Sequence, residues 1–262
     1  MKTYIFFGLK SFSNNLAYRS EVWLKTIGNF VTIFIQVSIW KAVIGSGSVI
    51  GISLEQMVTY SILNTLILSL LLHNVSRKVN DSLTTGSIAS ELLKPLSYPL
   101  YLFSDGLGSV AYQFVFVVIP SFLISWIAFG IKAPVSFNHF VGFIISLLIA
   151  LILSFFLGYL ISLIAFWILT SFSLEWIVGG LLILFSGSFL PLWFYPESWA
   201  LIARSLPFQF LGYVPAAIYM GYIPKEQIGD TLLIGMTWIA GLFLLVNWLW
   251  RKAIRRLVVQ GG

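Results

Sequence analysis

The groups able to do acid–base, nucleophilic or metal chemistry in this chain are few and scattered. Its carboxylates are Glu21, Glu55, Asp81, Glu91, Asp105, Glu175, Glu197, Glu226 and Asp230, and its histidines are His73 and His139. General acid–base catalysis needs groups that converge on one point, and each of these carboxylates falls in a connection or at the end of an apolar run. The histidines belong to opposite membrane faces, and no His-x-x-x-His pair offers zinc ligands. There is no cysteine, so disulfides, thiol nucleophiles and cysteine-held metals are excluded. No G-x-x-x-x-G-K-S/T run occurs, so the chain carries no P-loop. Ion-coupled transporters and proton pumps place an ionisable group inside the membrane, and the interiors of the apolar runs hold none. No catalytic, metal or cofactor-binding site is expected on this chain.

The elements that remain are membrane elements. Hydrophobic residues make up 59% of the 262 residues and charged residues 9%, against about 25% charged in a soluble domain. Six apolar runs, at 26–45, 56–75, 107–130, 139–169, 174–192 and 231–250, read as spans of a single transmembrane domain over 1–262. A bilayer core of about 30 Å takes about 20 residues of helix. The fourth run exceeds that and has to tilt or project. Continuous apolar runs predict an all-α polytopic protein, because a membrane barrel alternates at period two.

Basic residues orient the chain. With both termini cytoplasmic, 11 of the 15 Lys and Arg residues lie inside, among them Lys2, Lys10, Arg77, Lys78, Lys94, Arg251, Lys252, Arg255 and Arg256. The outer set is Lys41, Lys132, Arg204 and Lys225. The net charge of +6 therefore reports topology, and no basic cluster interleaved with aromatics points to nucleic acid. Residues 1–18 are not expected to be a cleavable leader. Ile5, Leu9, Phe12 and Leu16 recur at helical spacing, which predicts a short helix lying in the inner interface.

Two connections are unusual. Arg77 to Asp105 is a wet stretch of 29 residues between apolar runs, with helix-like apolar positions at Ile88, Leu92 and Leu93. Asn80 and Asp81 can cap a helix start and Pro95 can stop one, so a helix over 80–95 is expected. The outer connection after the fifth run stays apolar for almost 40 residues, yet Pro191, Pro196, Pro207, Pro215 and Pro224 divide it. Short outer re-entrant helices are the expected result, because irregular backbone at membrane depth needs protein cover. Within the runs, Asn29, Thr32 and Gln36 share a helix face, and helix–helix hydrogen bonding is the plainer reading of such residues.

Thr85-Gly86-Ser87-Ile88-Ala89-Ser90-Glu91-Leu92-Leu93-Lys94-Pro95-Leu96-Ser97 resembles the inner-loop pattern of the type-2 ABC transporter permease family. Ser186-Gly187, Phe189-Leu190-Pro191-Leu192, Pro196 and Leu206-Pro207-Phe208 resemble that family's pattern after the fifth span. The order of spans, the N-terminal helix and the basic C-terminus agree over nearly the whole chain. The nearest subgroup is one whose permeases often work as pairs of different chains. The resemblance implies a bacterial cytoplasmic-membrane export permease for an amphipathic, drug-like or lipid-like compound. It further implies cytoplasmic ATP-binding subunits that hold ATP and Mg, and a second permease chain, the same or related. A coupling helix carrying Asp81, Gly86, Ile88, Glu91, Leu92 and Leu93 would meet the ATPase. Spans two and five would line the route, with Asn64 on it and Phe185 and Phe189 forming an apolar constriction. A six-span channel or scaffold without an ATPase is the alternative.

The topology yields the first prediction. Single cysteines at Ser198 and Lys225 should both react with a membrane-impermeant thiol reagent added outside intact cells. Labelling of either only after the cells are opened would refute the orientation.

Overall fold

The computed structural model describes residues 2–45, 47–49, 51–72, 75–168 and 172–254. His73, Arg255 and Arg256 lie outside the described residues. The chain is all-α apart from a two-stranded hairpin, β1 (Ser48–Val49) paired antiparallel with β2 (Ile52–Ser53). Helix α1 (Lys2–Asn15) is followed by α2 (Arg19–Ile44), the hairpin and α3 (Leu54–Leu70). Next come α4 (Val75–Thr84), α5 (Ile88–Leu92) and α6 (Tyr98–Gln113), which runs through a π turn at Phe114–Val118 into α7 (Ile119–Phe129). The rest is α8 (Phe137–Ile168), α9 (Phe172–Phe185), α10 (Glu197–Ser205), α11 (Tyr213–Tyr219) and α12 (Lys225–Ile254), with 3₁₀ turns at Leu192–Phe194 and Pro207–Leu211.

Local chemistry explains the boundaries. Ser53 and Gln56 form a capping box that starts α3: the Ser53 hydroxyl accepts from the Gln56 N–H, and the Gln56 side chain accepts from the Ser53 N–H at 2.9 Å. Leu70 ends α3, and the freed N–H of Leu72 is taken up by the Ser154 hydroxyl of α8 at 3.1 Å. The π turn precedes Pro120, whose ring cannot coexist with a regular bond to the carbonyl four residues back. Gly187 is left-handed at φ 77°, a conformation that stops α9.

Helix α3 is the centre of the bundle. Its apolar stretch is 88% buried, against 17% for α2 and for α12. One core cluster joins Met57, Tyr60 and Leu63 of α3 to Leu153 of α8 and to Phe210 and Ile218. A second joins Ile33, Val37, Ile62, Leu66, Val79 and Tyr159. Contacts define two ends. At one, Lys132 pairs with Glu55 at 2.7 Å, and His139 Nε2 lies 3.2 Å from the Ile223 carbonyl. At the other, the Tyr4 hydroxyl accepts from the Ser97 N–H at 2.9 Å, and Tyr98 stacks on Trp250. Asn29 donates to Ser121 at 3.3 Å, the helix–helix bond its spacing suggests.

Three boundaries differ from those read in sequence. Among the described residues five helices are long and apolar enough to cross a membrane. The fifth apolar run, expected over 174–192, is helical only over Phe172–Phe185. Its 14 residues reach about 21 Å, because Gly187 and Pro191 close it early. The third helix starts at Tyr98 rather than 107, so Asp105 sits inside α6 and not in a loop. The wet stretch is not one helix over 80–95. Asn80 and Asp81 lie within α4, whose last carbonyls accept from the hydroxyls of Thr84 and Thr85. Gly86, at φ 71°, then turns the chain into α5.

Helix α1 forms where expected and packs on α6 through glycine, small polar and aromatic residues. Ile5 and Leu9 are exposed, while Phe7, Gly8, Ser11, Phe12 and Asn15 meet α6. The helices touch backbone to backbone: a Cβ on Gly108 would run into the Gly8 carbonyl. Small residues permit such crossings where apolar burial offers little drive between helices. Gly108→Val should therefore cost about 1–3 kcal/mol or more, read as a lower melting temperature in detergent and faster amide exchange across α1. Gly241→Val, where an added Cβ meets nothing within 4 Å, should change neither. Equal behaviour of the two variants would refute the crossing.

Candidate functional site

Two groups of residues carry the features that could transmit or guard a route. The first is the elbow formed by α4, Gly86 and α5. Its root is buried: Ile88 is 2% exposed and packs in the second core cluster with Val79 and Tyr98. Its tip is bare, with Leu93 86% exposed. Leu92 lies half-buried against the same cluster, and Glu91 accepts from the Ser82 hydroxyl at 3.4 Å, tying α5 back to α4. Asp81 is exposed on α4. The sequence-derived set thus divides into Ile88 and Leu92 as anchors, Gly86 as the turn, and Asp81 and Leu93 as outward groups.

An ion pair that spacing did not reveal joins the elbow to the bundle. Lys78 Nζ of α4 lies 2.7 Å from Asp105 Oδ2 of α6 and 5.0 Å from the centre of the Tyr101 ring. Both charged side chains are partly shielded, so removing one would strand the other in poor solvent. The residues are separated by a turn, a short helix and part of α6, a distance no local pattern predicts.

The second group lies beneath the 186–224 cap. Asn64 is 1% exposed. Its amide donates to the Tyr60 hydroxyl at 3.3 Å, and that hydroxyl donates to the Gly187 carbonyl at 2.7 Å. The Ser186 carbonyl accepts from the Tyr213 N–H at 2.7 Å. Gly212 sits so close that a Cβ there would meet both Asn64 and the Ser186 carbonyl. Asn64 and Tyr60 therefore hold the end of α9 and the start of α11 against α3. Pro207–Ile218 is buried throughout, so this proline-broken backbone is covered by protein. Phe185 is buried and stacks on Trp199 at 6.5 Å, whereas Phe189 is 76% exposed. Asn64 and Phe185 are thus both buried, and Phe189 is not. The i, i+4 step from Tyr60 to Asn64 was the one sequence signal for this node; its Gly187 partner came from the fold.

A cavity of about 220 Å³ opens between the break after α3, α8 and α9, walled by Leu71, Leu157, Val178, Leu182 and Leu211, with Ser76 and Glu175 also on its wall. Among the described residues no cluster of His, Cys, Asp or Glu is placed to hold a metal ion.

The relay gives the next prediction. Tyr60→Phe should leave the Asn64 amide and the Gly187 carbonyl without their buried partner, a loss of about 1–3 kcal/mol. Amide exchange at Tyr213 should accelerate. Phe189→Ala, at an exposed position, should stay within about 0.5 kcal/mol of the parent. Unchanged exchange in Tyr60→Phe would show that the relay does not hold the cap.

A search against curated proteins found no match. A family model described as ABC-2 family transporter protein matches residues 19–261. That match takes in every long apolar helix, the elbow and the cap, and leaves out α1. With an all-α fold of long apolar helices and a family model that covers most of its length, this chain belongs to the ABC-2 transporter family and is a membrane transport component.

Proposed function

We propose that this chain is the export permease subunit of an ABC transporter in the cytoplasmic membrane of a bacterium. Both termini lie in the cytoplasm, and α9 together with the capped segment serves as the sixth membrane passage. ATP and Mg are held by separate ATP-binding subunits. Two permease chains, identical or related, form the membrane core, because one bundle with α3 at its centre leaves no through-route of its own.

The observation that carries this reading is the elbow. Leu93 projects from a short helix whose root, Ile88, is fixed in the core, and Lys78–Asp105 ties the preceding helix to α6. An apolar knob on a rigid base can pass a push from an ATPase groove into the spans. A flexible loop would absorb it. The 220 Å³ cavity, apolar with Ser76 and Glu175 on its wall, supports an amphipathic, drug-like or lipid-like substrate. On this reading Asn64 and Phe185 stand where the route meets the closed cap, and Phe189 faces the second permease.

Leu93→Glu should abolish co-purification with the ATP-binding subunit and transport-linked ATP hydrolysis, while insertion and melting temperature stay unchanged. Ser90→Pro should do the same by breaking α5. Ile88→Ala should instead destabilise the chain, by about 2–5 kcal/mol. Native mass of the active particle should show two permease and two ATP-binding chains. Normal coupling in both Leu93→Glu and Ser90→Pro would sink the proposal, and full activity without any ATPase would favour a channel.

A further inference from the structure

A second cleft lies on the side of the bundle, where α1 gives way to α2. It measures about 150 Å³ and is lined by Asn15, Tyr18, Glu21, Lys25, Gln113 and Val117. Its polar groups come from three separate elements: the end of α1, the first turns of α2, and the point where α6 enters the π turn. Glu21 and Lys25 pair at 2.9 Å and both remain substantially exposed. The Asn15 amide nitrogen is already engaged, donating to the Ser11 carbonyl at 2.8 Å and to the Ser109 hydroxyl at 3.2 Å. That fixes the side-chain amide and leaves its Oδ1 as an acceptor, while the Asn15 backbone carbonyl is taken by the Tyr18 N–H. Among the described residues the Gln113 side chain has no hydrogen-bonded partner. Val22 and Val117 supply apolar wall.

The position decides the occupant. Lys25 is six residues into α2, about 9 Å from its start, and the helix beyond it exposes Ile27, Val31, Phe34 and Ile35. The π turn beside the cleft exposes Phe114, Val115 and Phe116. Charged rim and apolar continuation thus meet at the depth where a bilayer changes from headgroup to acyl chain.

We infer that the cleft binds one phosphoethanolamine lipid of the leaflet on the elbow side, with its phosphate on Lys25 and its ammonium on Glu21. The side-chain carbonyls of Asn15 and Gln113 accept the remaining ammonium protons, and the acyl chains run along Val117 and the exposed α2 surface. A primary ammonium carries three N–H donors. A phosphocholine headgroup has none to give to these acceptors, and a phosphoglycerol headgroup has no cation for Glu21. The site therefore selects among lipids by headgroup. The inference rests on membrane embedding and holds whatever the chain transports.

The test uses the full permease assembly in nanodiscs of equal parts phosphatidylethanolamine, phosphatidylglycerol and phosphatidylcholine, followed by native mass spectrometry of the lipids it retains. The parent should retain phosphatidylethanolamine several-fold over the other two. Glu21→Gln should erase the preference over phosphatidylcholine and keep phosphate binding. Lys25→Gln should lower retention of all three. Gln113→Leu, which leaves the ion pair intact, should narrow the preference for phosphatidylethanolamine over phosphatidylcholine. An exposed i, i+4 pair contributes little to folding, so each variant is compared at matched melting temperature. Equal retention of the three lipids by the parent overturns the site. A phosphatidylglycerol preference untouched by Glu21→Gln overturns it too, since that describes a plain anion site.

Discussion

Backbone that leaves a helix inside a bilayer must find partners in the protein, and this requirement organises the bundle around α3. The regular α-helix is interrupted after Leu70, at the π turn, and through the 186–219 segment. Each break is covered. Ser154 receives the Leu72 N–H, the π turn stays helical, and Tyr60, Ser186 and Tyr213 close the largest interruption with hydrogen bonds. Helix α3 is the most enclosed of the long apolar helices among the described residues. Its burial also explains why it tolerates Tyr60 and Asn64 at depth, where α2 and α12 present aliphatic and aromatic side chains to their surroundings.

Rigidity at the elbow end comes from anchoring of a different kind. The α4–α5 elbow is too short to hold a shape by helix propensity, since isolated helices of this length are unstable in water. Its form depends on Ile88 in the core, on the Glu91–Ser82 bond, and on Lys78 between Asp105 and Tyr101. Tyr98, next along the chain, stacks on Trp250 of α12. The elbow is thereby joined by contacts to both α6 and α12. Helix α1 lies along α6 through the Gly8–Gly108 crossing, so the element that borders the lateral cleft is packed on the same helix.

The cap and the elbow stand at opposite ends of α3, and the interior between them holds both core clusters. A change at one end therefore meets the other through packed side chains and not through a loop. The relay at Tyr60 joins α3 to the turn after α9, and Ser186 joins that turn to the start of α11.

Much of this was legible in the sequence. Hydropathy alone required an all-α membrane bundle, because apolar runs of that length have no other way to satisfy their backbone. Five of the six runs became long apolar helices, and prolines announced the divided cap. The elbow's existence was readable, since a charged stretch cannot enter lipid. Its exact form was not: Gly86 and the Thr84 and Thr85 hydroxyls, acting on carbonyls of α4, outweighed the capping potential of Asn80 and Asp81. The face α1 turns to α6 was not readable, as hydrophobic spacing identifies an apolar stripe but close backbone approach is set by glycine. The pairing of Lys78 with Asp105, of Tyr60 with Gly187, and of Gly8 with Gly108 was decided by tertiary structure alone. Sequence periodicity specifies which side of a helix is buried, whereas the partner across the gap depends on how the helices cross.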